Sequence, residues 1–420
     1  MAGQSPERVA EAAEGALREI LHTLTGDRSR LEKSYREKTV PGTGKSNLKR
    51  KGLFGAAGSL SETDQKLKAP ESLVAVNRLF YRRGWTDGLP IIPPTEARIQ
   101  RMLGQEGWDP DTLIGRVAPG DGEATAGKIA ANAVMAGCLP DHLPVVIAAT
   151  RALIKRRFNL YAVQTTTHPC AVLVLVNGPL ADPLDINAGY NVMGQGCLGN
   201  AVIGRAVRLV LVNLGGAAPG ILDRATQGSP AKYSFCFAEN EAQSPWEPLH
   251  VERGFEKSVS TVTVSGAESP HNVNDHGGNS AEEILLTVAG VLATPGTNNL
   301  YLGGEPMVVL GPEHAAVIHR DGFTKGDVKR FLFEKARLSV SAVSKGNLER
   351  FGKNHPERFS RLDKKDTILL VDAPEEFMVV VAGGMGRHSA VIPTFGGHAR
   401  SVTLPIVDPK GEPIFPKTET

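Results

Sequence analysis

The stretch FNLYAVQTTTHPCAVLVLVNGP, residues 158–179, has a counterpart in NNLYLGGEPMVVLGP, residues 298–312. Each passes from Asn-Leu-Tyr through a polar-Pro step, His168-Pro169 or Glu305-Pro306, into a short apolar run that stops at Gly-Pro. An apolar, β-branched run of this length, bounded by proline and glycine, is the pattern of a buried strand. A helical pattern precedes each copy, KIAANAVMAG at 128–137 and EILLTVAGVLA at 283–293, and a weaker echo follows in EEFMVVVAGGMGRHSAVIPTFGG at 375–397. Helices alternating with buried-type strands predict an α/β or α+β fold. The repetition predicts internally duplicated helix-strand units in two pseudo-symmetric halves, with polar loops meeting at a shared cleft.

Working outward, helical spacing is expected over 71–83, 95–105, 125–137 and 143–156, and strands over 171–176, 258–264, 306–310, 368–371 and 378–382. The first residues, 5–25, carry an amphipathic helix pattern behind Ser5-Pro6, and a basic, Gly/Ser-bearing stretch without periodicity follows. That stretch reads as a flexible arm, either a solvated linker or a segment that wraps a neighbouring subunit of a homo-oligomer or docks an acidic partner. The expected division is 1–69 for the helix and basic arm, 70–256 for the first half and 257–420 for the second.

The chain of 420 residues carries a formal charge of +2, so its charge points away from nucleic acid and anionic membrane surfaces and toward a small-molecule partner. Its four cysteines, Cys138, Cys170, Cys197 and Cys236, form no paired zinc spacing and read as free thiols in a reducing compartment. No signal-peptide pattern opens the chain and no apolar run approaches the ~20 residues of a membrane span, so a cytoplasmic location is expected.

Three segments carry the candidate chemistry. GQGCLG, 194–199, satisfies GxGxxG but lacks the preceding strand and later acidic residue of a dinucleotide site. It leaves a helix-start anion site that would favour a Cys197 thiolate. ESPHNVNDHGGNSAEE, 268–283, reads as a strand-to-helix loop with Ser280 as N-cap and Glu283 closing a capping box. There His271, Asp275 and His276 could act as an acid-base group, with the Gly277-Gly278 backbone approaching an anion, or could serve as metal ligands; the same residues could merely satisfy the loop. In YSFCFAENEAQSPWEPLH, 233–250, alternation sets Cys236 apart from Phe235 and Phe237, toward a polar loop holding Glu239 and Asn240.

The expected catalytic residues are therefore Cys236, Cys138, His271, Asp275 and His276. Substrate contacts are expected from Glu239, Asn240, Gly277, Gly278, Glu305, His314, Arg387 and His388. No cofactor is indicated. If a divalent metal is bound, Asp275, His276, Glu239 and His314 are its candidate ligands.

The motifs WTDGLPIIPPT, ANAVMAGCLPDHLPVV, ENEAQSPWEPLHVERGF, GAESPHNVNDHGG and GPEHAAVIHRDGF resemble those of a bacterial family, from about residue 71 to the C-terminus. Members of that family are often encoded beside, or fused to, small UGSC-motif (Sec/Cys-Gly-Ser-Cys) selenoprotein-like proteins. The resemblance implies thiol or selenol redox chemistry shared with such a partner, since this chain holds no Cys-Gly-Ser-Cys. The leading expectation is an enzyme acting on a small polar or anionic molecule by thiol and acid-base chemistry, as a reductive or lyase-type cleavage. A metal-dependent hydrolase or hydratase and a non-catalytic, substrate-presenting scaffold subunit remain alternatives.

Overall fold

The computed structural model describes residues 69–359 and 367–416. The expected N-terminal helix and most of the expected basic arm lie outside the described residues. Residues 344–359 belong to a small unit of their own, a helix at Lys345–Asn354 and a further turn at Pro356–Phe359, with Phe351 and Phe359 stacked. The remaining described residues form the main body, of mixed α and β structure.

Two four-stranded sheets organise that body. The first contains β3 (Ala171–Asn177), β4 (Cys236–Ala238), β5 (Thr261–Ala267) and β12 (Val402–Pro405), in the order β12-β5-β3-β4. The second contains β6 (His271–Asn274), β7 (Met307–Leu310), β10 (Met378–Val381) and β11 (His388–Ile392), in the order β10-β7-β11-β6. Two antiparallel pairs complete the set among the described residues: the hairpin of β1 (Leu113–Val117) with β2 (Gly122–Thr125), and β8 (Arg337–Ser339) with β9 (Thr367–Leu369).

In each large sheet a central strand has one parallel and one antiparallel neighbour: β3 between β4 and β5, and β7 between β10 and β11. The fourth place is filled by exchange. After β5 the chain crosses to β6, at the edge of the second sheet, and after β11 it crosses to β12, at the edge of the first.

Side-chain alternation explains the layers. Leu173 and Leu175 of β3 and Phe237 of β4 share one apolar cluster with Met307, Val309, Met378 and Val380, so the two sheets pack face to face. Val172, Val174 and Val176 point the other way, into a core with α3 (Ala126–Ala136), α4 (Leu143–Leu153) and α6 (Leu198–Asn213). These helices follow α1 (Leu73–Arg83) and α2 (Glu96–Gly104), and α5 is the short Leu160–Thr165. Beyond α7 (Leu249–Glu252), α8 (Ala281–Leu292) lies against β6 and β11; α9 (Asn298–Leu302), α10 (Pro312–Arg320) and α11 (Lys325–Lys335) follow.

Several sequence expectations need correction. The division at residue 256/257 does not follow the sheets, because β5 and β12 hydrogen-bond into the same sheet as β3. The segment 268–283 is not wholly a loop: His271–Asn274 form edge strand β6, whose polar residues the pattern of apolar runs does not register. Its helix start is as expected, with Ser280 Oγ accepting from Glu283 N–H and Glu283 Oε2 accepting from Ser280 N–H. No helix among the described residues is long and apolar enough to cross a membrane.

The glycines of α6 set how closely it packs. A Cβ on Gly204 would stand 2.4 Å from Ser234 Oγ and 2.6 Å from Phe235 N, on the lead-in to β4. Gly204→Ala therefore forces helix and strand apart and should destabilise the fold by about 1–3 kcal/mol despite alanine's better helix propensity, as read by urea denaturation.

Candidate active site

Four hydrogen bonds stitch together the carboxyl ends of the parallel strands from both sheets. Asn240, after β4, donates its N–H to Val381 O at 2.7 Å and its Nδ2 to Gly383 O at 3.4 Å. Gly383 N–H reaches Ala188 O at 2.8 Å, and Ala238 N–H reaches Asn187 O at 3.0 Å. The strand ends of both sheets thus open at one end of the sandwich, the place where sheets flanked by helices bind ligands.

A buried polar cluster occupies this end of the first sheet. Asn177 ends β3, Glu239 follows β4 and Thr261 opens β5; alternation puts all three on the inter-sheet side, in line with Leu175, Phe237 and Thr263. Asn177 Nδ2 donates to Glu239 Oε2 at 2.7 Å and to Glu241 Oε1 at 3.1 Å, and Gly178 N–H donates to Glu241 Oε1 at 2.7 Å. Leu249 N–H, at the start of α7, donates to Glu239 Oε2 at 2.9 Å. His250 is fully enclosed, with Nε2 3.4 Å from Lys257 O and Nδ1 3.7 Å from Glu241 Oε1, the latter too long for a hydrogen bond. A carbonyl only accepts, so Nε2 carries the proton and Nδ1 presents a lone pair.

The cluster is under-satisfied. Of the seven buried side-chain nitrogen and oxygen atoms without a hydrogen-bond partner among the described residues, four are here: Asn177 Oδ1, Glu239 Oε1, His250 Nδ1 and Thr261 Oγ1. Each such atom costs about 1–3 kcal/mol, so their concentration in one place calls for a partner. Burial pushes the Glu239 carboxyl up, against the opposing pull of Lys325 and of the bonds from Leu249 and Asn177. Burial also pulls the His250 imidazole down, against the attraction of Glu241. Burial thus biases the Glu239 carboxyl toward its proton-donating form and the His250 imidazole toward its accepting form. Lys325 is tied by Nζ to Glu247 O at 2.8 Å and to Glu252 Oε2 at 3.1 Å. Glu241, with 21 % of its side chain exposed, is where the cluster meets solvent.

A second polar group lies at the same end of the second sheet. His276 and His388 face each other, Nε2 to Nε2 at 3.1 Å, and His388 Nδ1 is 2.9 Å from Asn272 Oδ1. Arg387 donates to Gly278 O at 2.6 Å and lies 3.9 Å from Glu313. The two polar loops of the sequence thus meet, but not in the expected roles. Asp275 does not orient His276: its carboxylate accepts from Gly278 N–H and from Thr287 Oγ1, each at 2.6 Å. Desolvation pushes that carboxyl up, yet the bonds from Thr287, Gly278 and Gly277 and the nearby His314 outweigh it, and the net shift is down. The Gly277 and Gly278 N–H groups are therefore committed to Asp275 rather than offered to an anion. His314 is buried and engaged on both nitrogens, with Ser389 Oγ at 2.7 Å and Asp275 O at 3.0 Å. His271 opens β6, exposed, with Nδ1 2.9 Å from Asn272 O, about 10 Å of strand from the residues that follow β6.

The thiols lie elsewhere. Cys236 is on the face opposite Phe237, as alternation predicts, but that face is the helix-packed core and not a polar loop. Burial pushes the Cys236 thiol up, and burial with Cys236 nearby does the same to Cys138, whose Sγ lies 3.4 Å from Val202 O. Cys170 is also buried, its thiol pushed up to about 12 by burial. At the start of α6, Asp185 Oδ2 already accepts the Leu198 N–H at 2.7 Å; partial burial and this carboxylate raise the Cys197 thiol, opposite to the expected helix-start effect. Glu305 sits at the other end of the sandwich, bound by Arg157 at 2.9 Å and by Ser401. The expected metal set also disperses, Glu239 lying in the first sheet and His314 being engaged on both nitrogens. Among the described residues no three or more His, Cys, Asp or Glu side chains group as a metal cage.

Of the expected substrate contacts, Glu239 lies in this cluster and Asn240 beside it, while Asn177, Glu241, His250 and Thr261 were not among the expected residues. The signal for Asn177 was available, an amide closing the apolar run AVLVLVN where a ligand-facing strand end would be. Compared with known proteins, the chain matches no family model, no curated protein and no solved structure.

The raised Glu239 carboxyl has a stability consequence. Its protonated form favours the fold below the ordinary glutamate range, and that contribution is lost as pH rises through the folded-state value. Glu239→Gln mimics the protonated form, so its melting temperature should equal wild type near pH 4 and exceed it near pH 8, as read by thermal denaturation across that range.

Proposed function

We propose that this chain is an enzyme that moves protons on a small polar or anionic molecule held at the carboxyl ends of β3 and β4, in a lyase-type or enolising reaction. The observation that carries this reading is the group of four unpartnered buried polar atoms around the Glu239 carboxyl and the His250 imidazole, shifted in opposite directions. His250 Nδ1 takes a proton from the substrate carbon while Glu239 Oε1 gives one to the oxygen that gains charge or departs. Asn177 Oδ1 and Thr261 Oγ1 hold the substrate's polar groups.

Buried Cys138 and Cys236 are poorly placed as nucleophiles, since the reactive form of a thiol is the thiolate. Within this reading, thiol or selenol chemistry falls to a partner of the Sec/Cys-Gly-Ser-Cys type that the sequence resemblance implies. The matching strand orders of the two sheets support internal duplication, in which the second sheet retains the architecture without the Glu239 cluster.

The test is deuterium wash-in followed by NMR, with the full chain in D2O and a panel of small hydroxy- and keto-carboxylates. Exchange at a carbon adjacent to a carbonyl is expected for wild type, with a loss of about 10²–10⁴-fold in Glu239→Gln and in His250→Asn. Cys236→Ser is expected to leave it intact. Unchanged exchange in both acid-base variants, or loss confined to Cys236→Ser, would refute the reading.

A further inference from the structure

The geometry points to a divalent transition-metal site of the nickel, copper and zinc class on His276 and His388, separate from the Glu239 cluster and independent of its role. The paired Nε2 atoms are 3.1 Å apart, with ring planes at 80°. Two imidazole nitrogens each about 2.0–2.1 Å from one metal ion, in adjacent coordination positions, stand about 2.9–3.4 Å apart. The observed separation falls inside that interval, so the spacing of the two nitrogens already suits a shared ion.

The surroundings set the ligand atoms. His388 Nδ1 lies 2.9 Å from Asn272 Oδ1, and an amide oxygen only accepts, so Nδ1 carries the proton and Nε2 is left with its lone pair. This is the outer hydrogen bond that fixes tautomer and ring orientation in histidine metal sites. His276 presents Nε2 when its own proton sits on Nδ1. Register holds the pair in place: His388 pairs with Asn274 across β11 and β6, and His276 follows two residues later, on the loop that Asp275 locks through Gly278 and Thr287. Both rings are exposed, which leaves the remaining coordination positions to water or to a bound oxygen or nitrogen ligand. With the metal absent, the same 3.1 Å contact is a hydrogen bond from one imidazole to the other.

Isothermal titration of the full chain with Ni2+, repeated with Zn2+, separates the two states. One site is expected in wild type, weakened at least tenfold in His276→Ala and in His388→Ala and about tenfold in Asn272→Ala, through loss of the orienting bond. His271→Ala, which removes an exposed histidine on β6, the strand of Asn272, should bind as wild type. Far-ultraviolet circular dichroism confirms that each variant is folded. Wild-type affinity retained in both His276→Ala and His388→Ala, or lost equally in His271→Ala, would overturn the assignment, as would absence of binding by wild type.

Discussion

Contact between the inner faces of the two sheets holds the rest of the main body in place. Leu173, Leu175 and Phe237 press on Met307, Val309, Met378 and Val380, and each such side chain contributes roughly 1.5–3 kcal/mol when removed from water. The contact needs strict alternation on β3, β4, β7 and β10, because a slip of one residue would turn the valines inward and expose the larger side chains to the helix layer. The exchanged strands reinforce it. β6 and β12 each leave one sheet to complete the other, so neither sheet is finished without the other's chain.

The same alternation decides where chemistry can sit. Continuing β3 and β4 by one step beyond their apolar residues delivers Asn177 and Glu239 into the inter-sheet layer, at the end where sheet packing gives way to loops. There Leu249 at the start of α7 and the enclosed His250 close over them. Cys236, one residue before Phe237, is sent to the helix side by that period. A thiol and a carboxylate three residues apart thus end on opposite faces of one strand, one inert in the core and the other in a polar cluster.

Polar groups in the body are treated in contrasting ways. Asp275, His314 and Glu305 are saturated by hydrogen bonds and serve to pin loops and strand crossings. Asn177, Glu239, His250 and Thr261 each keep one atom unpaired in a buried place. Residue type does not separate these groups, since both contain histidine and carboxylate. Only the count of satisfied hydrogen bonds does, and that count depends on neighbours from distant parts of the chain.

By itself the sequence determined what depends on local pattern: helices α1 to α4, α6 and α8, the apolar strands β3, β7 and β10, the capping box at Ser280 and Glu283, and the opposite faces of Cys236 and Phe237. Those features follow from periods of 3.6 and 2 residues and from capping chemistry, which act within a few residues. Tertiary structure alone decided the membership of each sheet, the strand nature of the polar His271–Asn274, and the partners of the titratable groups. Pairing of β6 with β11 and of β12 with β5 joins segments more than a hundred residues apart, and no local spacing encodes it. For the same reason the sequence could mark Glu239 and the His276 loop as polar, but the meeting of His276 with His388, and of Glu239 with Asn177 and His250, arises only when the strand ends are brought together.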